Sequence, residues 1–331
     1  MKIITVFDTS IGSANLGDNI IMRSGENHLS FLFDKYFVMR LATHLVNFHF
    51  YQYLKSGTKV NAIRKSIYKF IIGTDLLNNN IFKGRGQWPI DIFSAKVYEN
   101  VILMGVGRTS FTYSQTKIDL YSRHIYEKIL RKDIIHSTRD EETKIFLENL
   151  GFKAINTGCP TLWGLTEDHC RKIKRNKSEN VVFSLNGYEK WRDFNNDEKI
   201  LDIIQKNYKK VYLWVQTIKD QDYFEQLNKR LSKPINVEYI YSLNEFERIL
   251  KSTDVDYVGM RLHGGIFALQ NKVRSIIIAV DERAKGVKET NNIVCVNRND
   301  TDKIEKLINS DFETCIKIKN KEINLFLSQF K

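Results

Sequence analysis

The sequence predicts an α/β protein of two doubly wound domains facing a cleft. Three observations carry this. Short β-branched runs recur along the chain, and each gives way to a polar or glycine-bearing loop. Segments of helical period lie between these runs, the pattern of a parallel sheet with crossover helices. The 331 residues are enough to build two hydrophobic cores.

Residues 3–7 form the first strand, and the loop 9–18 with Gly12 and Gly17 leads into a helix from Asn19. Buried strands follow at 70–75, 100–107 and 134–140, each running into a polar loop. A helix over 141–150 ends at a Gly151 cap. A fifth strand, 152–155, ends at Gly158-Cys159-Pro160. Residues 161–180 lack a clear apolar period and are densest in charge at 171–177, so they read as a solvated linker. A second series places strands at 181–185, 211–215, 237–240, 256–259 and 275–280, with helices over 197–207 and 222–231 among the connections. Residues 303–330 read as helical. The expected boundaries are 1–165 for an N-terminal acceptor-side domain, 166–180 for the linker and 181–310 for a C-terminal donor-side domain. Residues 311–331 are expected as a helix packing back on the first domain.

Hydrophobic content of 42% and charged content of 27% are those of a soluble globular chain. The net charge of +12 attracts anions. Its lysines and arginines are spread out, without a clustered basic face interleaved with aromatics, so nucleic acid is not an expected partner. Cys159, Cys170, Cys295 and Cys315 form no CxxC pair, and the histidines have no metal-ligand spacing, so no metal is expected. Free thiols suit a reducing cytoplasm. The N-terminus lacks the pattern of a signal peptide, and no apolar run is long enough to span a bilayer. The expected location is cytoplasmic, with room for peripheral contact at the inner membrane face through basic segments.

The densest chemistry lies in Gly259-Met260-Arg261-Leu262-His263-Gly264-Gly265, where a strand hands over to a helix. A helix N-terminus presents unpaired N–H groups and the positive end of a dipole, so anions bind there, and a His there can move protons. The next strand runs into Asp281-Glu282-Arg283-Ala284-Lys285-Gly286, where either Arg283 or Lys285 is suited to a phosphate. Arg139 follows a strand and reads equally as an anion ligand or as half of an ion pair beside a capping Asp140. Asn15, Gly17 and Asp18 sit at the first crossover, where they bind sugar hydroxyls or cap the helix; the dinucleotide fingerprint GxGxxG is absent. Aromatics such as Phe48, Phe50, Tyr51 and Trp88 read as core first and sugar platform second.

Taken in order, Asn15-Leu16-Gly17-Asp18, Ser137-Thr138-Arg139-Asp140, Gly259-Met260-Arg261-Leu262-His263-Gly264 and Lys285 resemble the polysaccharide pyruvyl transferase family, across nearly the whole chain. The turn at Ile72-Gly73-Thr74-Asp75 is less glycine-rich than in that family. The resemblance implies two Rossmann-like domains in a glycosyltransferase-B-like arrangement. It implies phosphoenolpyruvate as donor, with no further cofactor. The acceptor it implies is a sugar of a bacterial surface polysaccharide, or of its lipid-linked oligosaccharide precursor, and the product is a pyruvate ketal. Position by position it makes His263 catalytic and assigns Arg139, Arg261, Lys285, Gly264 and Gly265 to the donor; Asn15, Gly17 and Asp18 fall to the acceptor. The main alternative is a glycosyltransferase using a nucleotide sugar, since fold does not fix function.

Overall fold

In the computed structural model, residues 2–54, 57–82, 87–109, 118–280 and 282–331 are described, apart from the side chains of residues 282–285. Fourteen strands occur among them: β1 Ile3–Asp8, β2 Phe37–Ala42, β3 Tyr68–Ile72, β4 Asp75–Leu77, β5 Val101–Met104, β6 Gly107–Arg108, β7 Ile135–Thr138, β8 Lys153–Asn156, β9 Asn180–Ser184, β10 Lys210–Trp214, β11 Val237–Ile240, β12 Val255–Gly259, β13 Ser275–Ala279 and β14 Cys295–Asn297. Every strand pairing is parallel. The α/β class read from the sequence is therefore the observed one. The chain divides into two compact units. The first comprises Met1–Ser13, Ile21–Trp163 and Lys319–Lys331, and the second Ala14–Ile20 and Gly164–Ile318.

The first unit holds a four-stranded sheet in the order β2-β1-β3-β5, with smaller pairs β4-β6 and β7-β8. Strands buried on both faces read as continuous apolar runs. Successive side chains then part to opposite faces: Val101 and Leu103 join a core with Phe7 and Ile71, while Ile102 and Met104 join one with Val6 and Phe70. Trp88 is buried in the first of these cores, its ring edge-on to Phe7, whereas Phe50 and Tyr51 stay exposed. The helix Asn320–Ser328 packs Ile323 and Phe326 into the second core, and Gln329 clamps the Ile135 backbone through its N–H (2.7 Å) and its carbonyl (3.1 Å).

His136 joins β7 to β5. Its Nδ1 accepts the Leu103 N–H (3.2 Å) and its Nε2 lies 2.8 Å from the Arg131 carbonyl. An acceptor at Nδ1 and a carbonyl at Nε2 fix the neutral Nε2–H tautomer. Burial pulls its pKa down to about 4.

The second unit holds a six-stranded sheet in the order β11-β10-β9-β12-β13-β14. Counted within the unit this is 3-2-1-4-5-6, the doubly wound dinucleotide-fold order. Its core runs from Val181 and Phe183 of β9 to Ile304 and Ile308 of the helix Thr301–Ile308. At the N-terminal edge Arg274 pairs with Asp256 (Nη1–Oδ2 2.6 Å), both wholly buried, and its Nη2 holds the carbonyls of Leu307, Ile308 and Ser310.

Four sequence readings change. Strands β2 and β14 were not anticipated: β2 is an edge strand whose first four residues are half exposed and include Arg40, and β14 has only three residues. The stretch 164–180 clusters with the second unit, burying Cys170 and Ile173 behind a short helix Glu167–Cys170 capped by Thr166, so only its charged side chains behave as the linker reading expected. Residues 303–330 hold two helices, Thr301–Ile308 and Asn320–Ser328, with a non-helical strap between them. The helix expected over 222–231 spans Ile218–Asn228 because Thr217 and Asp220 form a capping box that starts it earlier.

Candidate active site

In a doubly wound sheet, ligands bind beyond the carboxyl ends of the strands where the winding reverses. In the second unit that reversal lies between β9 and β12. The loops after these strands are drawn together by Gly259, where a Cβ would lie 2.3 Å from Ser184 Oγ and 2.8 Å from Ser184 N. Ser184 Oγ accepts the Arg261 N–H (3.2 Å) and lies 2.6 Å from the Tyr257 hydroxyl, which donates to the Arg261 carbonyl (2.8 Å). The Tyr257 proton is spent on that carbonyl, so the Ser184 hydroxyl donates to Tyr257. Burial pushes the Tyr257 phenol up, so it stays a donor.

Arg261 is 4% exposed. Its Nε donates to the Leu185 carbonyl (3.1 Å) and to Asp220 Oδ2 (3.0 Å); its Nη2 donates to Thr217 Oγ1 (3.0 Å) and to Asp220 Oδ1. The Tyr188 ring covers the guanidinium at 4.8 Å. Asp220 in turn accepts from the backbone N–H of Gly187 and of Thr217, both at 3.0 Å. A Cβ at Gly187 would lie 1.9 Å from the Lys219 carbonyl oxygen, so the close approach of these two loops requires glycine. One buried carboxylate thus locks the loops after β9, β10 and β12 together. Asp220 already balances the charge of Arg261, which leaves Nη1 as the part of the guanidinium without a hydrogen bond among the described residues.

Arg261 is the N-cap of the helix Leu262–Gln270, which places His263, half buried, on the first turn. The first hydrogen bond of this helix runs from Gly265 N to the Arg261 carbonyl (3.0 Å), so the N–H groups of Leu262, His263 and Gly264 have no acceptor within the helix. Gly264 and Gly265, expected at the donor, are also required by packing. Both are buried; a Cβ on Gly264 would lie 2.8 Å from the Tyr257 hydroxyl, and one on Gly265 would lie 1.9 Å from Ile277 Cδ1. Lys285 sits on the helix Glu282–Asn291, directly after β13, the strand beside β12. The side chains of Lys285 and Arg283 lie outside the described residues.

Asn15, Gly17 and Asp18 cluster with the second unit. Asn15 Oδ1 accepts from Gly17 N (3.0 Å) and Gln216 Nε2 (2.9 Å), and the Leu16 N–H donates to the Gln216 carbonyl (2.9 Å). A Cβ on Gly17 would lie 2.8 Å from Gln216 Nε2, and Asp18 is 8% exposed. Asn15 thus caps the first turn of the helix that starts at Leu16.

Arg139 lies in the first unit, after β7. Its Nη1 is 2.5 Å from Asp75 Oδ1, and its Nε is 3.6 Å from Asp140 Oδ2. Asp140 Oδ1 accepts from Thr143 N (2.8 Å) and so caps the helix Glu141–Asn149. The ion-pair reading of Arg139 is therefore the arrangement present. The sequence reading missed Asp220, Tyr257 and Ser184. For Asp220 a signal existed: Thr217-Ile218-Lys219-Asp220 is a capping-box spacing. Ser184 and Tyr257 carry none, because only strand order brings them together. Among the described residues no group of three or more His, Cys, Asp or Glu is placed to hold a metal ion, and no helix is long and apolar enough to cross a membrane.

Residues 15–282 match the family described as polysaccharide pyruvyl transferase. No curated protein matches the chain. Among solved structures, the chain is similar to the Staphylococcus aureus MnaA–UDP co-structure, with TM-score 0.51 at 13% identity over 99% of this chain and 91% of that one. A putative UDP-N-acetylglucosamine 2-epimerase from Listeria monocytogenes gives TM-score 0.51 at 9% identity over 98% and 90%. At such identity the likeness is one of fold.

Proposed function

The chain belongs to the polysaccharide pyruvyl transferase family and is a transferase, and on that premise we propose that it moves the enolpyruvyl group of phosphoenolpyruvate onto two hydroxyls of one sugar of a bacterial surface polysaccharide or its lipid-linked precursor. The observation that carries this reading is the loop at the β9/β12 reversal, which sets His263 on the first turn of a helix behind an immobilised Arg261.

In the reaction, His263 delivers a proton to the methylene carbon of the donor, which makes C2 electrophilic. One sugar hydroxyl adds to C2, the C2–O bond to phosphate breaks, and the second hydroxyl closes the ketal. Of the two hydroxyl protons released, one restores His263 and the other leaves with inorganic phosphate. The donor supplies its own leaving group, so no cofactor is required. The N–H groups of the first turn of the helix Leu262–Gln270, at the positive end of its dipole, stabilise charge on the departing phosphate. Arg261 meets the donor through Nη1, and Lys285, with Arg283 as its neighbour, supplies the countercharge that Asp220 withholds from Arg261. Arg139 belongs to the donor reading only if a ligand replaces Asp75 as its partner. Asp18 remains the acceptor candidate of its segment, with Asn15 and Gly17 shaping the loop around it. The cytoplasmic location and peripheral membrane contact belong to the same proposal.

The test is thermal unfolding with phosphoenolpyruvate and, in parallel, with UDP-, GDP- and CMP-linked sugars, followed by acceptor-dependent phosphate release. A ligand of the folded state raises the midpoint. The reading expects a shift with phosphoenolpyruvate and a His263→Ala protein that keeps the shift but releases no phosphate. A shift with a nucleotide sugar and none with phosphoenolpyruvate would establish the glycosyltransferase alternative. An active His263→Ala enzyme would remove the proton-transfer role.

A further inference from the structure

A second constellation lies in the first unit, at the N-terminal ends of β3 and β5, the end of a parallel sheet opposite to that where its ligands ordinarily bind. A cavity of about 450 Å³ there is lined by Arg64, Lys69, Lys96, Lys128 and Glu99. Four elements deliver the cations. Arg64 ends the helix Thr58–Arg64, Lys69 is the second residue of β3, Lys96 follows the helix Ile92–Ala95, and Lys128 lies on the helix Leu120–Ile129.

Lys69 is 2% exposed. An ammonium has three donors, and Lys69 makes one hydrogen bond among the described residues, 2.6 Å to the backbone carbonyl of Glu99. Its burial lowers its pKa to about 8. Lys96 and Lys128 make no ion pair or hydrogen bond among the described residues, and neither does the Glu99 carboxylate. Arg64 donates to the Tyr53 carbonyl at 3.3 Å and makes no other hydrogen bond or ion pair among the described residues. Nearby Arg131 is paired with Asp133, yet its charge still opposes that of Lys69. Four cations against one carboxylate repel one another, and a buried ammonium whose one hydrogen bond goes to a carbonyl, with only the Glu99 charge to offset its own, is costly unless an anion joins it.

We propose that this cavity binds a phosphoryl group, carried either by a soluble phosphate ester or by an anionic lipid headgroup. Lysines act on phosphate as point charges, and cations arriving from four directions suit a tetrahedral dianion with several oxygens better than a planar carboxylate. Ile92 is exposed four residues before Lys96, on the same side of their helix, so an apolar contact adjoins the cations. This site is independent of the donor site proposed above.

The experiment compares the full-length protein with a Lys96→Gln/Lys128→Gln variant, whose changes fall on residues that pack no core. Inorganic pyrophosphate is added at ionic strength held constant with KCl. Separately, both proteins are sedimented with vesicles of phosphatidylglycerol in phosphatidylcholine and with phosphatidylcholine alone. A rise of a few degrees in the unfolding midpoint with pyrophosphate, lost in the variant, assigns a soluble phosphate ester. Sedimentation with the anionic vesicles that the variant loses at least tenfold, without a pyrophosphate shift, assigns a lipid headgroup. No effect in either arm, or the same effect in both proteins, overturns the site. A pyrophosphate shift retained by the variant belongs to the second unit and also overturns it.

Discussion

Arg139 and Arg261 hold the same post in the two units: each follows a parallel strand, precedes a helix and pairs with an aspartate. The surroundings differ. The Arg139 and Asp75 side chains are 19% and 22% exposed, while those of Arg261 and Asp220 are 5% and 0% exposed. The Asp75 Oδ1 that faces Arg139 is itself buried, but a pair that keeps about a fifth of its side-chain surface in water is partly screened and costs less to break than a fully buried one. A buried pair is costly to break because the survivor is left as an uncompensated charge. The first unit thus keeps an exchangeable arginine, and the second spends its arginine on fixing the loop that carries His263.

The largest effect follows from Asp220. Asp220→Ala is expected to destabilise the second unit by about 3–5 kcal/mol, because Arg261 stays buried and three loops lose their common acceptor. Denaturant unfolding combined with hydrogen exchange of β9, β10 and β12 measures it. A loss below about 1 kcal/mol would mean that the hub is as exchangeable as the Arg139 pair, and the contrast would fail. In Asp220→Ala, turnover should fall even where the protein remains folded, since the His263 loop is released.

The next contrast is in pH. His136, in the first unit, has a folded pKa of about 4, below its usual 6.5, so its stabilisation is complete above pH 6.5 and is lost as pH falls toward 4. At about 1.4 kcal/mol per pH unit the loss approaches about 3 kcal/mol. Asp197, in the second unit, is raised by burial to about 6. Its contribution is complete below pH 3.8 and is lost as pH rises through 6, so acid strengthens the second unit at this residue. Hydrogen exchange resolved by residue between pH 7 and pH 4.5 should show β5 and β7 losing protection relative to the helix Phe194–Asn207. Equal loss in both would refute the opposed signs.

Two glycines give a smaller and signed comparison. Gly187→Ala places a Cβ against backbone and should cost about 1–3 kcal/mol by midpoint of denaturation. Gly286, on the helix Glu282–Asn291, has open space around its Cβ position, so Gly286→Ala should stabilise by about 0.5–1 kcal/mol. A destabilised Gly286→Ala protein would show that this helix is constrained by something other than its own backbone.

These contrasts also mark what the sequence made legible. The strands at 181–185, 211–215 and 256–259 could be read because buried parallel strands are mostly apolar, broken here only by Ser184 and Asp256, and the loop 259–265 because Arg, His and two Gly stand where such a strand ends. Strand order was not legible: nothing local places Ser184 beside Tyr257, or sets Asp220 between Gly187 and Arg261. Gly264 and Gly265 read as ligand contacts in the sequence; that Tyr257 and Ile277 also leave no room for a side chain there was not legible. Burial decides between such roles, and burial is a property of the fold.

The smallest effect tests the open pair directly. Asp75→Asn removes the charge opposite Arg139 and keeps the shape, so it should cost less than about 1 kcal/mol at low salt. The difference should shrink in about 1 M KCl, where charges are screened within a few ångströms. Gly107 sharpens the case, because a Cβ there would lie 2.6 Å from Asp75 Oδ1 and 2.9 Å from Arg139 Cζ. The Gly107 backbone therefore packs directly against this pair, and an anion that takes the place of Asp75 would meet Arg139. If phosphoenolpyruvate is that anion, Asp75→Asn should tighten its binding while barely changing stability, and titration of the two proteins at one ionic strength would show it. Weaker binding in Asp75→Asn would mean instead that the carboxylate positions the arginine for its ligand, and the first unit's pair would then work as the second unit's does.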